Sequence, residues 1–260
     1  MTGRFTDRVV VVSGAAGGIG RALVGRFAQE GAHVVATDRD EALLDAPAVR
    51  DHADRVRPVL ADLTDPVAVA SVLSAATAVT GRVDVLVNNA GHFGGSTLLD
   101  TTDTEWDWYL DVNLRTQFLM SRAFVGAMVG QEAVAGVRGR IVNTTSQLGI
   151  TAPPAALGYT VAKAGVIALT RSIAVDYAGA GIVANAVAPG RIITGDHPGE
   201  ADYLRDGTVD TATAYSLRRT PFPRLGAVTD VVGSVLFLAG DDCTFVSGAV
   251  LSVDGGWTAS

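Results

Sequence analysis

The stretch RVVVVSGAAGGIGRALVGRFAQEGAHVVATD, residues 8–38, predicts a strand, a turn, a helix and a second strand in succession. Residues 8–14 form a short, β-branched apolar run that stops at glycine, which is typical of a buried strand. Residues 19–32 carry apolar side chains at helical spacing, and residues 33–38 form another apolar run. This order favours two parallel strands joined by a crossover helix.

The same alternation continues along the chain. Further strands are predicted at 56–63, 84–91, 139–146, 182–190 and 249–256, and further helices at 65–80, 103–129, 156–178 and 229–239. Short, continuously apolar strands are buried on both faces, so we expect an α/β fold with a doubly wound, seven-stranded, mainly parallel sheet and helices on both faces. One domain should span 1–260. The polar stretch 195–220 is interpreted as an excursion from it, either a mobile lid over a site or an ordinary surface insertion.

The composition excludes several classes of protein. The 260 residues are 48% hydrophobic, and the net charge of −7 comes without a Lys/Arg cluster, which argues against nucleic-acid binding. No stretch approaches the ~20 uninterrupted apolar residues of a membrane span. The opening MTGRFTDRVV lacks the apolar run of a signal peptide. The single cysteine, Cys243, is expected to be a packed thiol. Together these features predict a cytoplasmic protein without a membrane partner.

Three glycines, Gly14, Gly18 and Gly20, follow the first predicted strand and open the first helix. Glycine permits a tight turn and a close approach of phosphate to the backbone. A helix N-terminus adds unpaired N–H groups and a partial positive charge. The spacing G-x-x-x-G-x-G differs from the dinucleotide fingerprint G-x-G-x-x-G, and glycines also form plain turns. Their position between a strand and a helix nevertheless predicts a nucleotide-binding loop.

Asp38 ends the second predicted strand, about 20 residues beyond the loop, where a carboxylate can bond the adenosine ribose hydroxyls. It would repel a 2′-phosphate, which favours NAD over NADP, although the neighbouring Arg39 could meet a phosphate. Read alone, Asp38 could also be a solvated strand end or a helix cap. Asp62, after the third strand, is a candidate acceptor for the adenine amino group or a turn residue.

Tyr159 and Lys163 lie four residues apart in GYTVAKAG, residues 158–165, so a helix would place them on one face. Lys163 is the only lysine of the chain. A phenol, with a pKa of about 10, is a poor base at neutral pH, and a nearby ammonium should lower that pKa. Lysine suits this task because its compact ammonium can also donate to two ribose hydroxyls. The pair predicts a proton-transfer site, although this spacing also arises by chance.

Nearly the whole chain resembles the short-chain dehydrogenase/reductase family. The resemblance rests on SGAAGGIG (13–20), Asp38, ADLTD (61–65), NNAG (88–91), DVNL (111–114), GRIVNTTS (139–146), Tyr159-x-x-x-Lys163, NAVAPGRIIT (185–194) and GAVLSVDGGW (248–257). It implies a Rossmann-type fold and NAD-dependent interconversion of a secondary alcohol and a ketone. Ser13 and Thr145 depart from the usual residues but keep a hydroxyl. Gly17, where NADP-preferring members often carry a basic residue, adds weight to NAD.

The resemblance also assigns roles to single residues. Tyr159 resembles the general acid/base, Ser146 the group that bonds the substrate oxygen, Lys163 the holder of the nicotinamide ribose, and Asn113 a residue that holds a water linked to the lysine. The implied cofactor-binding residues are Gly14, Gly18, Ile19, Gly20, Asp38, Asp62, Leu63, Asn89, Ala90, Gly91, Tyr159, Lys163, Pro189, Gly190, Ile192 and Thr194, with Asn88 beside them. No metal is expected.

The substrate region is less constrained. By analogy with the family it comes from 92–96, 147–153 and 190–215. The candidate substrate residues are Ser146, Gln147, Tyr159, His92 and Arg191, with His197 nearby. Their polarity favours a hydroxylated substrate such as a sugar or polyol, although exposed loops are polar in any case. Trp106 and Trp108 precede Asn113 on the predicted helix, and we expect core packing of one of them rather than substrate stacking.

The resemblance further implies that the long apolar helices at 103–129 and 156–178 pair between subunits and that the last strand with its tail forms another contact, so we expect a homotetramer, with a dimer as the alternative. Two other functions stay open, namely reduction of 3-oxoacyl or other carbonyl substrates and a non-catalytic NAD-binding sensor or scaffold. An epimerase or dehydratase that retains its NAD is disfavoured by the glycine spacing and the short C-terminal region.

Overall fold

The computed structural model describes residues 3–196, 200, 203 and 207–260. The strands of its central sheet are β1 (Val9–Ser13), β2 (His33–Asp38), β3 (Val56–Leu60), β4 (Val85–Asn88), β5 (Gly139–Thr144), β6 (Ile182–Pro189) and β9 (Val250–Val253). Their order is β3-β2-β1-β4-β5-β6-β9, and every neighbouring pair is parallel. The predicted seven-stranded sheet is confirmed. A second, short parallel pair, β7 (Ile192–Ile193) and β8 (Gly226–Ala227), was not predicted.

Helices lie on both faces of the sheet. They are α1 (Gly18–Gln29), α2 (Pro47–Arg50), α3 (Pro66–Thr80), α4 (Asp103–Leu110), α5 (Thr116–Met128), α6 (Leu157–Tyr177), α7 (Thr211–Arg219) and α8 (Val228–Ala239). Strand β1 shows why two layers form, because all five of its residues are buried and alternate side chains enter different cores. Val10 and Val12 pack with α1 and α8, whereas Val9 and Val11 pack with α3 and α5.

The helix predicted over 103–129 is continuous but not regular. A π-helical segment, Asp111–Arg115, separates α4 from α5 and contains Asn113. The Asn113 side chain donates to the Tyr109 carbonyl oxygen at 3.1 Å, taking an acceptor that a regular helix would give to a backbone N–H. Such single-turn bulges concentrate at functional sites, and apolar spacing alone does not reveal them.

The prediction that one tryptophan of this helix packs in the core is wrong. Trp108 is exposed and Trp106 is only half-buried, while Tyr109 is the buried aromatic residue of α4. The reason is the close approach of α4 to α6: a Cβ atom added to Gly158 would lie 2.9 Å from the Tyr109 Cβ atom. That crossing buries Tyr109 and leaves its neighbour Trp108 facing outward.

The polar excursion predicted at 195–220 is described at 195–196, 200, 203 and 207–220, where it includes α7. His197 lies outside the described residues, and a mobile lid stays a prediction. In the part of the chain that the structure describes, none of the helices combines the length and apolar character needed to cross a membrane.

Candidate active site

The glycine loop lies between β1 and α1, at the carboxyl edge of the sheet. Gly14 has φ +64°, and a Cβ atom there would lie 2.7 Å from the Cα atom of Ala90, so glycine permits both the turn and the close contact with the segment after β4. Gly20 packs directly against the Gly14 carbonyl oxygen. It therefore holds the loop against its helix and is not part of the lining of the cleft beside it, and its predicted cofactor contact stays a prediction.

A cleft of about 350 Å³ opens next to this loop. Most of the predicted cofactor residues line it, namely Gly14, Gly18, Ile19, Asp38, Asp62, Leu63, Asn89, Ala90, Gly91 and Thr194. Pro189, Gly190, Ile192, Tyr159 and Lys163 are not part of its lining. Asn88 is fully buried below it and donates to Ser121 and Asn143, so its role is to tie the centre of the sheet together.

Two of the predicted cofactor residues that line the cleft are aspartates. Asp38 accepts hydrogen bonds from the backbone N–H groups of Ala16 at 2.9 Å and Asp40 at 3.1 Å, so its carboxylate also anchors the glycine loop. Asp62 accepts from the N–H and the hydroxyl of Thr64, which lowers the pKa of its carboxyl. Asp62 thus adopts the predicted turn role while facing the cleft, and the exposed Arg39 lies along the same wall.

A third carboxylate, Asp196, sits on the N-terminus of α1 and was not predicted. Its Oδ2 atom accepts the Gly18 N–H at 2.6 Å, and its Oδ1 atom accepts Arg21 Nη2 at 2.7 Å. Burial alone would raise the pKa of Asp196, but the hydrogen bonds from Arg21 and Gly18 keep it below the ordinary value. The Gly18 N–H, which the glycine loop was predicted to offer to a phosphate, is therefore already bonded to Asp196. Because it lies in a polar stretch far along the chain, no local pattern points to it.

Tyr159 and Lys163 meet as predicted on one face of α6. The Lys163 Nζ atom lies 5.7 Å from the centroid of the Tyr159 ring and donates to the Thr144 carbonyl oxygen at 3.0 Å. Lys163 is 3% exposed, whereas Tyr159 is half-buried and hydrogen-bonds the Ser146 side chain. The predicted general acid/base, its neighbouring cation and the predicted oxygen-binding serine thus form one cluster.

The pKa of Tyr159 does not follow the sequence prediction. Burial raises it, and the hydrogen bond with Ser146 only partly opposes that shift. Burial also lowers the pKa of Lys163 to about 8. The Lys163 ammonium donates its hydrogen bond to the Thr144 carbonyl oxygen and not to the phenol. The prediction that Lys163 lowers the pKa of Tyr159 is therefore wrong for the protein without a bound ligand.

Asn113 joins this cluster from the π-helical segment. It is fully buried, donates to the His92 carbonyl oxygen at 3.1 Å and accepts the His92 N–H at 2.9 Å. A Cβ atom on Gly91 would lie 2.8 Å from Asn113 Oδ1 and 2.9 Å from Lys163 Nζ. Gly91 therefore separates these two polar atoms with no room for a side chain, and the predicted water link between them stays a prediction.

The candidate substrate residues lie around the same cluster. Gln147 is buried, its Oε1 atom has no hydrogen-bond partner within the described chain, and a Cβ atom on Gly190 would lie 2.9 Å from that oxygen. The Arg191 Nε atom is also buried and unpaired there. His92 is exposed and packs edge-to-face on Trp108. Cys243 is a buried thiol whose pKa is raised by burial, as expected of a packed residue.

Comparison with known proteins agrees with this geometry. A family model described as enoyl-(acyl carrier protein) reductase matches residues 14–258. The 2-(R)-hydroxypropyl-CoM dehydrogenase of Xanthobacter autotrophicus is 41% identical, covering 97% of this chain and 99% of that protein. The chain belongs to the short-chain dehydrogenase/reductase family.

Other members of the family are similar over the same length. A 3-oxoacyl-(acyl-carrier-protein) reductase of Thermotoga maritima is 35% identical, covering 97% of this chain and 98% of that protein. The crystal structure of levodione reductase has a TM-score of 0.86 and 34% identity, covering 98% of this chain and 99% of that one. The protein is therefore an oxidoreductase of a family that uses a nicotinamide cofactor.

The cleft fits such a dinucleotide. Gly14, Gly18 and Gly91 line it without side chains, and the Gly18 N–H already donates to an anionic group, the Asp196 carboxylate. Gly18 would hold the pyrophosphate, Asp38 the adenosine ribose and Lys163 the nicotinamide ribose.

Replacing Asp196 should strengthen dinucleotide binding. In Asp196→Ala the Gly18 N–H is free for a pyrophosphate, so we expect the affinity for NADH and NADPH to rise roughly tenfold, the size of one charged hydrogen bond. Fluorescence titration measures this. Asp40→Ala is the control because it removes a carboxylate from the same cleft without uncapping α1. An equal gain in both variants would assign the effect to charge alone, and no gain would disprove the competition.

Proposed function

We propose that this protein is an NAD-dependent dehydrogenase that interconverts a secondary alcohol and a ketone, or a sugar hydroxyl and its lactone or keto form. The observation that carries the proposal is the cluster of Tyr159, Lys163 and Ser146 beside a cleft lined by the glycine loop. This arrangement supports the proposal, because hydride transfer requires a proton-transfer group next to a bound dinucleotide.

The residues divide the chemistry among them. The nicotinamide, when bound, supplies the hydride acceptor or donor. Ser146 donates a hydrogen bond to the substrate oxygen, and Tyr159 takes the hydroxyl proton in oxidation or returns it in reduction. Lys163, whose pKa is about 8, is mostly protonated at neutral pH and holds the ribose. Burial keeps the pKa of Tyr159 high, so the positive charge of an oxidised nicotinamide would favour the phenolate.

A preference for NAD over NADP is supported by Asp38. Its carboxylate lines the cleft, where it would bond ribose hydroxyls and repel a 2′-phosphate. Gly17 supports the same preference, because it places no cation near that position. Arg39 is the feature that favours NADP, since its guanidinium lies along the same wall.

A polar, hydroxylated substrate such as a sugar or polyol is favoured by the polar candidate residues, among them Gln147 and Arg191, each of which has a buried side-chain atom without a hydrogen-bond partner in the described chain. The hydroxypropyl-CoM dehydrogenase relative supports oxidation of an alcohol. The 3-oxoacyl reductase relative supports the alternative, reduction of 3-oxoacyl or other carbonyl substrates. NADH absorbance with panels of alcohols and ketones separates the two, and dinucleotide binding without turnover would favour a sensor or scaffold.

Tyr159→Phe tests the general acid/base. We expect kcat to fall by about 10²- to 10⁴-fold, because the proton acceptor is lost, while NADH affinity stays close to that of the wild type. Tyr177→Phe, which changes an exposed tyrosine on the same helix, is the matched control and should behave as the wild type. Undiminished turnover of Tyr159→Phe would refute the assigned role.

Asp38→Asn tests the cofactor preference. The substitution removes the charge and keeps an acceptor for the Ala16 N–H, so the kcat/KM ratio of NAD to NADP should fall roughly tenfold or more. Asp40→Asn, at the next acidic position along the cleft, should leave the ratio nearly unchanged. A wild-type enzyme that already prefers NADP would show that the assignment of Asp38 is mistaken.

A homotetramer is also proposed, with a dimer as the alternative. Support comes from apolar side chains exposed on α5 and α6, namely Phe118, Val161 and Val175, and from Phe245 and Leu251 near the C-terminus. Val175→Glu should lower the mass seen by analytical ultracentrifugation, whereas Val67→Glu on α3 should not. The two valines are 79% and 76% exposed. An unchanged mass for Val175→Glu would remove α6 from the interface.

A cytoplasmic location is part of the proposal. It is supported by the single cysteine, which is buried as a free thiol. Recovery of the protein in the membrane or secreted fraction of its cells would contradict it.

A further inference from the structure

We propose that Phe93 determines substrate specificity. Its ring forms one wall of the substrate site. It selects secondary alcohols in which the carbon that bears the hydroxyl is part of a ring, or is next to a ring or another apolar carbon face. This inference rests on the proposed dehydrogenase function and names the class of alcohol that the same site accepts.

The first observation is the position of the Phe93 ring. Its centroid lies 5.2 Å from that of the Tyr159 ring, and the two planes meet at 88°. This edge-to-face contact is a favourable aromatic geometry, so Phe93 is held against the residue that transfers the proton. At the same time Phe93 is 48% exposed. Exposed apolar surface of Phe93 therefore lies next to the Tyr159 ring.

The second observation is that the backbone around Phe93 is anchored on both sides. On one side, His92 donates its N–H to Asn113 Oδ1 at 2.9 Å, and its carbonyl oxygen accepts Asn113 Nδ2 at 3.1 Å. On the other side, the Leu157 N–H donates to the Ser96 carbonyl oxygen at 3.3 Å, at the start of α6. The segment 92–96 thus bridges Asn113 and the helix that carries Tyr159, which fixes the ring relative to the reacting oxygen.

Two glycines make this bridge possible. Gly94 has φ +154° and a Cβ atom there would collide with the Tyr109 hydroxyl, while Gly95 has φ +134° and a Cβ atom there would lie 3.1 Å from the Ala156 Cα atom. Side chains at these positions would push the segment away from α4 and α6. The close packing leaves Phe93 as the residue of this stretch whose large apolar side chain stands open to solvent.

The physical consequence is a preference for substrates with an apolar face. Covering exposed aromatic surface is favourable in proportion to the apolar area removed from water, and a ring C–H face covers more of it than a short alkyl chain. A ring alcohol suits this site, because its apolar face can pack on Phe93 while its hydroxyl meets Tyr159 and Ser146. A small acyclic alcohol gains little from Phe93.

The test compares two secondary alcohols, cyclohexanol and 2-propanol, with saturating NAD and the full-length enzyme. In Phe93→Ala we expect kcat/KM for cyclohexanol to fall about tenfold, mainly through KM, and that for 2-propanol to change less than about twofold. A change in the pKa of Tyr159 would affect both alcohols equally, so it cancels in the ratio of the two kcat/KM values. Phe93→Leu, which keeps an apolar side chain, should retain most of the ratio. The control is Phe237→Ala on α8, because Phe237 is 43% exposed and, unlike Phe93, makes no ring contact with Tyr159 in the described chain.

Calorimetric binding of cyclohexanol to the enzyme–NADH complex completes the test without turnover, and Phe93→Ala should weaken it about tenfold. A wild-type enzyme that binds cyclohexanol through Phe93 but oxidises no alcohol would support the aromatic wall and refute the dehydrogenase function. An unchanged ratio in Phe93→Ala, or equal changes in Phe93→Ala and Phe237→Ala, would overturn the wall while leaving that function intact. A wild-type complex that neither binds nor oxidises cyclohexanol would also overturn it.

Discussion

A buried ammonium group connects helix α6 to the end of strand β5, and the candidate site depends on this connection. Lys163 donates to the carbonyl oxygen of Thr144, and the Thr145 hydroxyl donates in return to the carbonyl oxygen of Lys163 at 2.7 Å. A buried cation needs such a partner, since an unpaired one would be far more costly. The exchange sets where α6 lies along β5, and the same placement brings Tyr159 to Ser146.

Burial shifts the pKa values of Tyr159 and Lys163 in opposite directions. Burial destabilises the charged form of each, so the phenol resists deprotonation while the amine releases its proton more readily than usual. A positive charge beside the phenol, such as that of an oxidised nicotinamide, would favour its deprotonation. Such coupling would make the acid/base group responsive to the oxidation state of the cofactor rather than to solvent pH alone.

Local patterns were enough to predict the sheet, the crossover helices and the cluster on α6, because each depends on apolar runs and short spacings. Contacts between distant segments were not predictable in this way. Asp196 reaches Gly18 across 178 positions, and the π-helical turn at Asn113 depends on side-chain hydrogen bonds that leave no mark in apolar spacing. The tryptophan prediction failed for a similar reason, because the exposed face of α4 is decided by how closely Gly158 lets α6 approach.

The π-helical segment Asp111–Arg115 affects which sequence changes α4 and α5 can tolerate during evolution. An additional residue in a helical turn rotates everything beyond it by about 100° relative to what precedes it. Helix α4 turns its buried side towards α6, and α5 turns its own towards the sheet. The π-helical segment therefore sets the angle between the buried face of α4 and the buried face of α5. Substitutions on one of these faces leave the orientation of the other unchanged. A deletion within the segment, by contrast, would misalign both faces at once.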